Sequence, residues 1–186
     1  MIGQVAQTYI IAEGPTGLYL IDQHAAHERV LYERLLAQKA NAQVASQTLL
    51  EPRPVELPPG LGPVLEEHLD VLTELGFQIE PFGGETYLLR AVPTMLEQAD
   101  PAQALLEMVE ELTQGKTPLE REREERVIAA VCKQGAVKAG QTLSLDEMRE
   151  LVRQLEQTTM PRTCPHGRPT MIHLSQATLE REFGRR

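Results

Sequence analysis

The sequence predicts an α+β fold, and three observations indicate this class. Short β-rich segments of alternating polarity occur near both ends of the chain and again in its middle. Longer segments between them carry helix signals such as capping residues and a proline in the first turn. The two kinds of segment follow each other without the regular strand–helix–strand rhythm of a parallel α/β sheet. A chain of 186 residues is long enough for one domain, or for a pair of small subdomains, with a buried core.

The chain is predicted to begin with a β-hairpin that leads into a helix. Residues 4–13 alternate in polarity and are β-rich, and the GPTG sequence at 14–17 is typical of a turn. Residues 18–22 form a second short β-like run, so a hairpin is the simplest interpretation. A helix is then expected from about residue 23 to residue 38.

The next β-like segment, residues 44–57, contains Pro52 and Pro54. Proline cannot donate a backbone hydrogen bond, so the segment is excluded from the centre of a sheet. It is predicted to be an edge strand or an irregular connection, and the PPG sequence at 58–60 ends it.

The middle of the chain is predicted to form a small α/β insert. A helix is expected at 62–75, followed by a hairpin whose strands cover 77–81 and 86–92 around two adjacent glycines. A second helix is expected at 101–113, where a proline occupies the first turn.

The last part of the chain is predicted to contain three helices and one strand. A long helix is expected to begin near Leu119. The SLDE sequence from Ser144 is a capping box that opens a helix ending near Glu156. A proline-rich loop, a strand and a capped helix are then expected at 161–169, at 170–174 and from Ser175.

The composition limits the class of function. The net charge is −9, which is the wrong sign for a protein that holds nucleic acid by general attraction to phosphate. The sequence has no recognisable signal peptide and no apolar run long enough to cross a bilayer. The chain has only two cysteines, which are expected to be free thiols. Together these features predict a cytoplasmic location. The abrupt start in an alternating segment predicts a fragment of a longer protein.

Several possible metal ligands surround the start of the first predicted helix. His24 and Glu28 are four residues apart, so they lie on one helix face and could bind one ion, or they belong to an exposed polar face. Asp22 precedes them, and its carboxylate could reach the same ion or cap the helix. Glu33 lies about half a turn from His24 around the helix, which favours a role outside direct metal binding.

A second candidate segment is TCPHGRPT at residues 163–170. Alternate residues of an extended segment point the same way, so Cys164, His166 and Arg168 are expected to project together from a backbone fixed by proline. A thiolate and an imidazole on one rigid loop suit zinc or a similar ion. The alternative is a buried cysteine beside a surface histidine.

Together the two segments supply four sulfur, nitrogen and oxygen ligands, with Asp22 and Cys132 available for a second ion. Two metal ions about 3.5 to 4 Å apart are the usual arrangement in enzymes that hydrolyse a phosphodiester. Cys132 lies in an Ala- and Gly-rich predicted helix, where a cysteine also packs as a small apolar residue. Lys133, Lys138 and Arg168 could contact phosphate or pair with the many carboxylates.

The two motifs resemble those of one protein family. The pattern DQHA-x2-E-x4-E is complete from Asp22 to Glu33, and CPHGRP occupies Cys164 to Pro169, with the cysteine-bearing helix between them. In this order they resemble the C-terminal domain of the MutL family of DNA mismatch-repair proteins, of the kind that carries an endonuclease. The resemblance covers essentially the whole chain.

The resemblance implies a homodimer that nicks duplex DNA with divalent metal, manganese supporting cleavage and zinc serving a structural or regulatory role. It implies a dimerisation subdomain formed by residues 1–57 and 119–186, which carries the metal site. A smaller regulatory subdomain is implied at residues 58–118. The implied setting is the bacterial cytoplasm near the nucleoid, with other mismatch-repair proteins as partners and no membrane association.

The resemblance also implies roles for individual residues. Asp22 is expected to be essential for cleavage, with His24 and Glu28 as the other catalytic residues. Glu33 belongs to the motif, but it is not among the expected metal ligands, and its role is left open. The same holds for Arg168. The implied metal ligands are Asp22, His24, Glu28, Cys132, Cys164 and His166.

The segment SQTLLEP at residues 46–52 is a candidate docking motif. A polar residue is followed by two leucines and a proline that keeps the backbone extended, which suits an apolar groove on a partner. It resembles the sliding-clamp-binding motif of the same family at Gln47, Leu49, Leu50 and Pro52. The alternative is an ordinary strand with two buried leucines.

Two other functions compete with the endonuclease. One is a dimerisation and clamp-docking module whose zinc sites are closed and purely structural. The other is a small-molecule hydrolase, although no lid loop or specificity pocket can be recognised in the sequence. The endonuclease is favoured because Asp22 adds a carboxylate that a structural site does not need.

The net negative charge of the chain predicts that this fragment alone binds and cuts DNA poorly. In the family that it resembles, an N-terminal ATPase region and the clamp supply much of the attachment to DNA. Linking a weak site to such modules raises its effective concentration on DNA.

Overall fold

The computed structural model describes residues 1–97, 99–113 and 120–185. Within these ranges the chain forms seven strands, six α-helices and one short 3-10 helix, which is the α+β class predicted from the sequence. It divides into two compact units, the first formed by residues 1–33 with the chain from Ala136 onward, and the second by residues 34–135. No helix among the described residues is long and apolar enough to cross a membrane.

The first unit contains a four-stranded antiparallel sheet. Ile10, Ile21 and Met171 lie opposite one another on three adjacent strands and therefore share one face. The strands, in the order β1-β2-β3-β7, are β1 (Gly3–Val5), β2 (Tyr9–Gly14), β3 (Gly17–Asp22) and β7 (Met171–Ser175).

β1 and β2 are separate strands because the chain turns at Ala6 and Gln7. Both residues have a φ of 50°, in the left-handed region that residues other than glycine rarely adopt. The side-chain amide of the buried Gln23 donates to the Gln7 carbonyl at 3.0 Å and stabilises this turn. The predicted continuous strand over 4–13 is therefore wrong, since no glycine or proline marks the turn in the sequence.

The helices of the first unit are α1 (Gln23–Ala40), of which residues 23–33 belong to this unit, α5 (Leu145–Glu156) and α6 (Gln176–Glu182). The predicted capping box is present, because the Ser144 hydroxyl accepts from the Glu147 amide while the Glu147 carboxylate accepts from the Ser144 amide. Residues from β2, β3, α1, α5 and the loop before α5 form the core of the unit: Ile10, Ile21, Ala26, Val30, Leu143, Met148, Leu151 and Leu155.

The other face of this sheet is apolar and partly exposed. Ile11, Leu20 and Ile172 lie opposite one another across β2, β3 and β7, and Leu18 lies opposite Leu174. Strand alternation directs these side chains away from the core. Ile172 is 55% exposed in the isolated chain.

The second unit contains a three-stranded antiparallel sheet in the order β4-β6-β5, formed by β4 (Ser46–Glu56), β5 (Gln78–Gly83) and β6 (Thr86–Pro93). Its helices are α2 (Gly62–Glu74), α3 (Pro101–Thr113) and α4 (Glu120–Gly135), with a 3-10 turn at Thr94–Leu96. The largest fully buried side chains of this unit include Leu65, Leu72, Leu75, Phe77, Leu89, Leu105, Met108 and Ile128.

β4 is an edge strand and is also irregular, as its prolines predict. It pairs with β6 up to Thr48, opposite Ala91, and pairing resumes at Arg53, opposite Leu89. The residues between these pairs, 49–52, therefore oppose a single residue of β6. Such a bulge leaves part of the bulged strand outside the ladder.

The predicted helices and strands agree with the observed ones to within a few residues, apart from the first strand. The predicted helix start at Leu119 and the predicted boundary between 118 and 119 lie outside the described residues. The predicted insert, 58–118, falls within the second unit, whose limits are wider.

Candidate metal centre

The site is built at the N-terminal end of α1, where β3 ends. Asp22 is half-buried, and its Oδ1 accepts a hydrogen bond from the Ala25 amide at 3.0 Å, so its carboxylate caps the helix. The Asp22 amide in turn donates to the Thr170 carbonyl at 2.9 Å. The first residue of the motif is therefore fixed by backbone contacts on both sides.

Glu28 is the centre of the group, and it is only 2% exposed. His24 Nε2 lies 3.1 Å from its Oε1, as expected for residues four apart on one helix face. His166 Nδ1 lies 3.2 Å from its Oε2. One buried carboxylate therefore joins a histidine of its own helix to a histidine 138 positions away.

The backbone of Val137 holds the His24 ring from its other side. The Val137 carbonyl lies 2.9 Å from His24 Nδ1, and the Val137 amide donates to His27 Nδ1 at 2.9 Å. A proton on His24 Nδ1 satisfies the carbonyl, which leaves Nε2 directed at Glu28. Backbone carbonyls commonly orient metal-binding histidines in this way.

These contacts shift the protonation equilibria of the site. The hydrogen bond to Glu28 raises the pKa of His24 above its ordinary value, against the opposing effect of burial, and the charge of Asp22 acts in the same direction. Burial disfavours the charged form of Glu28, but hydrogen bonds from His166 and His24 outweigh it and hold the pKa of this carboxyl well below its usual range. Glu28 is therefore a carboxylate at neutral pH.

Cys164 and His166 lie on residues 159–170, which we term the metal loop. Its tip is a turn, in which the Gly167 amide donates to the Cys164 carbonyl at 3.0 Å and the Cys164 amide donates to the Arg168 carbonyl at 2.8 Å. Gly167 has a φ of +79°. The extended conformation predicted for this segment is wrong, because a proline at the second position of the turn and a glycine at the fourth favour a reversal.

The turn nevertheless brings both predicted ligands to α1. Ligand atoms of Glu28, Cys164 and His166 all lie within 4.8 Å of one another. A carboxylate oxygen, a sulfur and an imidazole nitrogen are donors that zinc and related transition metals accept. His24 contacts the same carboxylate but does not belong to this group of three, and the three donors by themselves fit a divalent transition metal.

Other predicted site residues lie elsewhere. The Glu33 carboxylate accepts hydrogen bonds from the metal loop, and Arg168 is exposed. Cys132 is fully buried in α4 of the second unit, so its role as a ligand stays a prediction beside its alternative as a packed apolar residue.

Three residues of α1 matter more than the sequence indicated. Gln23 is fully buried and donates to the carbonyls of Lys138 and Gln141 at 3.1 and 3.0 Å. His27 holds Val137, and Arg29 is buried and donates to the metal loop. The sequence does carry a signal for these three residues. Polar side chains on the same helix face as apolar core residues usually have a specific hydrogen-bond partner.

The candidate docking motif lies in the second unit and is open to solvent. Leu50 is fully exposed, while Leu49 is half-buried. Both lie in the part of β4 that leaves the ladder. The alternative of two buried leucines in a regular strand is therefore wrong.

Comparison with known proteins places the chain in a family. Residues 2–143 match the family model described as the MutL C terminal dimerisation domain. The chain is similar to proteins called DNA mismatch repair protein MutL from Methanoculleus marisnigri and Chlorobaculum tepidum, each 42% identical over 99% of this chain. A protein of the same name from Desulforamulus reducens is 43% identical over 98% of this chain. The chain spans 32%, 30% and 29% of the length of these relatives.

Proposed function

The chain belongs to the family of MutL C-terminal dimerisation domains, and from this premise we propose that it carries a metal-dependent endonuclease site that nicks duplex DNA in mismatch repair. The further parts of the proposal are a homodimer formed through the sheet of the first unit and docking on a sliding clamp through residues 47–52. Manganese is the proposed ion for cleavage, and zinc the proposed structural or regulatory ion.

The observation that carries the proposal is the approach of the metal loop to α1. Glu28, Cys164 and His166 contribute three different donor types within 4.8 Å, although 138 positions separate the first residue from the last. Dimerisation does not need such a grouping. A buried carboxylate between two imidazoles supports a functional site, because strongly perturbed carboxyl groups cluster at such sites.

The chain's own residues give the site its shape and charge. Glu28, Cys164, His166 and His24 are the residues that would hold an ion, and Cys132 is a further proposed ligand. A divalent ion bound there would activate water and stabilise the leaving oxygen of a phosphodiester. The Val137 carbonyl keeps a proton on His24 Nδ1, so Nε2 stays available on the side of Glu28.

A second candidate function is a non-catalytic module with structural zinc. It is favoured by one observation: the Asp22 carboxylate already caps α1, so its presence has a structural explanation. The nuclease proposal instead assigns Asp22 a direct part in cleavage in addition to capping.

The Asp22→Asn substitution separates the two candidates, because asparagine also caps helices and only the charge is lost. In the full-length protein, with supercoiled plasmid and manganese, we expect Asp22→Asn to reduce nicking by at least about 100-fold, the scale of losing an acid–base group. Asp146→Asn, an exposed residue of α5, is the matched control and should nick like the wild type. Equal nicking by all three proteins would remove the catalytic role of Asp22, whereas absence of nicking by the wild type itself would favour the structural module.

The proposed dimer surface is the apolar outer face of the first sheet. Ile11, Leu20 and Ile172 form a continuous row across three strands, and water-exposed apolar area of this kind is what a second copy would cover. We expect Ile172→Asp to shift the chain to a monomer in sedimentation. Leu145→Asp, at a 48% exposed position on α5, should leave the dimer intact.

The proposed clamp contact rests on the exposure of Leu50 and on the interrupted ladder of β4. An unpaired, extended segment with an exposed leucine can enter an apolar groove without unfolding the sheet. Because the net charge is −9, attachment to the clamp would also compensate for weak binding of this chain to DNA. Strong, salt-sensitive DNA binding by the isolated chain would contradict that part of the proposal.

A further inference from the structure

The metal loop is closed by contacts among its own residues, most of them in the backbone. Thr163 forms a bridge with Pro169, and the Thr170 amide donates to the Arg162 carbonyl at 3.1 Å. The buried Thr170 hydroxyl donates to the Pro161 carbonyl. These contacts fix the shape of the loop, but they do not determine how far its tip lies from α1.

Glu33 ties the start of the loop to α1. Its Oε2 accepts from the Thr159 amide at 2.7 Å, and its Oε1 accepts from the Thr159 hydroxyl at 2.8 Å and from the Met160 amide at 3.2 Å. Hydrogen bonds to a charged acceptor are stronger than those between neutral groups. The contact is one helical turn and a half beyond Glu28 on the same helix.

Arg29 ties the loop next to its ligands. This arginine is only 6% exposed, and its Nε donates to the Thr163 carbonyl at 2.6 Å, directly before Cys164. Its guanidinium lies 3.7 Å from Glu33 Oε1 and 5.5 Å from the centre of the Tyr32 ring. A buried guanidinium needs such partners, so its position is well determined.

We propose that Arg29, supported by Glu33, is a positioning residue that sets the distance between the Cys164–His166 turn and Glu28 before a metal ion binds. Arg29 follows Glu28 directly in the chain, so the anchor and the buried ligand share one helical turn. The inference rests on the proposed metal site and assigns a role to residues that are not ligands themselves. Partners of this kind affect metal affinity by about 10- to 100-fold.

The test compares wild type with Arg29→Gln, Arg29→Lys and Arg149→Gln. Arg149 is an exposed arginine of α5 with a surface ion pair, so its substitution is the matched control. Three measurements are made on each protein: zinc affinity by competition with a chromophoric chelator, the thiolate–cobalt absorption band at saturating cobalt, and hydrogen exchange of residues 157–170 in the metal-free protein. Far-UV circular dichroism at each step verifies folding.

In Arg29→Gln we expect zinc affinity to fall by about 10- to 100-fold and the cobalt band to weaken even at saturation, because the thiolate is no longer held near Glu28. Exchange in residues 157–170 should become faster without metal. Arg29→Lys keeps the positive charge and a donor nitrogen and should recover part of the affinity, while Arg149→Gln should match the wild type. A loss of global stability alone would not change the band at saturating cobalt.

Wild-type zinc affinity and an unchanged cobalt band in Arg29→Gln would overturn the positioning role while leaving the proposed metal site intact. If Arg29→Gln does not fold, the same readouts in Arg29→Lys decide, and wild-type values there overturn the role. Failure of the wild type to bind zinc or cobalt would overturn the proposed site, and the positioning role with it.

Discussion

The metal loop and residues 47–52, which we term the clamp segment, are both short, proline-containing stretches that sequence motifs single out, yet they are held in opposite ways. The metal loop is fixed by its own turn, by a bridge and by contacts from Arg29 and Glu33. The clamp segment leaves its ladder and exposes Leu50 completely.

The difference teaches what each kind of recognition requires. An ion is small and imposes its own geometry, so its ligands must be in place within a fraction of an ångström. A partner protein presents a groove that can select an extended segment, and the segment is useful when its side chains are free. A motif for an ion therefore predicts many internal contacts, whereas a motif for a partner predicts few.

The largest expected effect comes from removing a donor of the metal loop. Cys164→Ser should reduce zinc affinity by at least about 100-fold, because it removes the thiolate while the rest of the loop stays fixed. Chelator competition measures this change. An affinity within a few-fold of the wild type would exclude Cys164 from the site.

The same measurement on Cys132→Ser tests whether the second cysteine is also a metal ligand. A comparable loss of zinc affinity would support Cys132 as the further ligand that the family resemblance implies. A lower melting temperature with unchanged affinity would instead identify it as a packed core residue.

The next largest effect is expected in the clamp segment. Leu50→Ala should weaken binding to the sliding clamp by about 30-fold, the scale of an interface hot spot of about 2 kcal/mol, with little change in stability because the side chain is exposed. Calorimetry with purified clamp measures it. Phe82→Ala, at a 67% exposed position in β5, is the control, and equal weakening by both variants would contradict a specific contact.

The smallest expected effect is in the anchoring of the metal loop by Glu33. Burial opposes its ionisation, but hydrogen bonds from Thr159 and Met160 and the charge of Arg29 prevail and lower the pKa of Glu33 below its ordinary value of 4.5. Its contribution to stability is therefore fully present above pH 4.5 and is lost as pH falls through the lowered value. Glu33→Gln should lower the free energy of unfolding by about 1 to 2 kcal/mol at pH 7.

Urea unfolding of wild type and Glu33→Gln across the acid range measures that difference. The two curves should converge as pH falls, because the protonated wild-type side chain then resembles glutamine. A difference that does not depend on pH would assign the effect to packing and not to the charge of Glu33.

Much of the fold was predictable because local signals and tertiary structure agree. The Ser144 capping box, the proline at the start of α3 and the two prolines of β4 each act through a local steric or hydrogen-bonding effect. The turn at Ala6 and Gln7 was not predictable, because its strained backbone is stabilised by Gln23, which is distant in sequence. Local propensity carries no information on such a contact.

The candidate site was predictable to the level of residue identity but not of contact. The spacing of His24 and Glu28 predicts their shared helix face, and the motif predicts which loop contains further donors. The roles of Arg29 and His27 depend on carbonyl and amide groups of residues more than a hundred positions away. Every residue has the same backbone groups, so a sequence does not reveal these partners, and only the three-dimensional structure identifies them.

The first unit is assembled from two stretches of chain with 102 residues between them. Bringing the ends of such a segment together carries an entropy penalty of about 4 kcal/mol, which the long-range contacts must offset. During synthesis, the helix with Glu28 emerges long before Cys164 and His166, so the candidate ligands cannot meet until both segments have left the ribosome. The order of these residues along the chain thus delays assembly of the candidate site until the second unit has also been made.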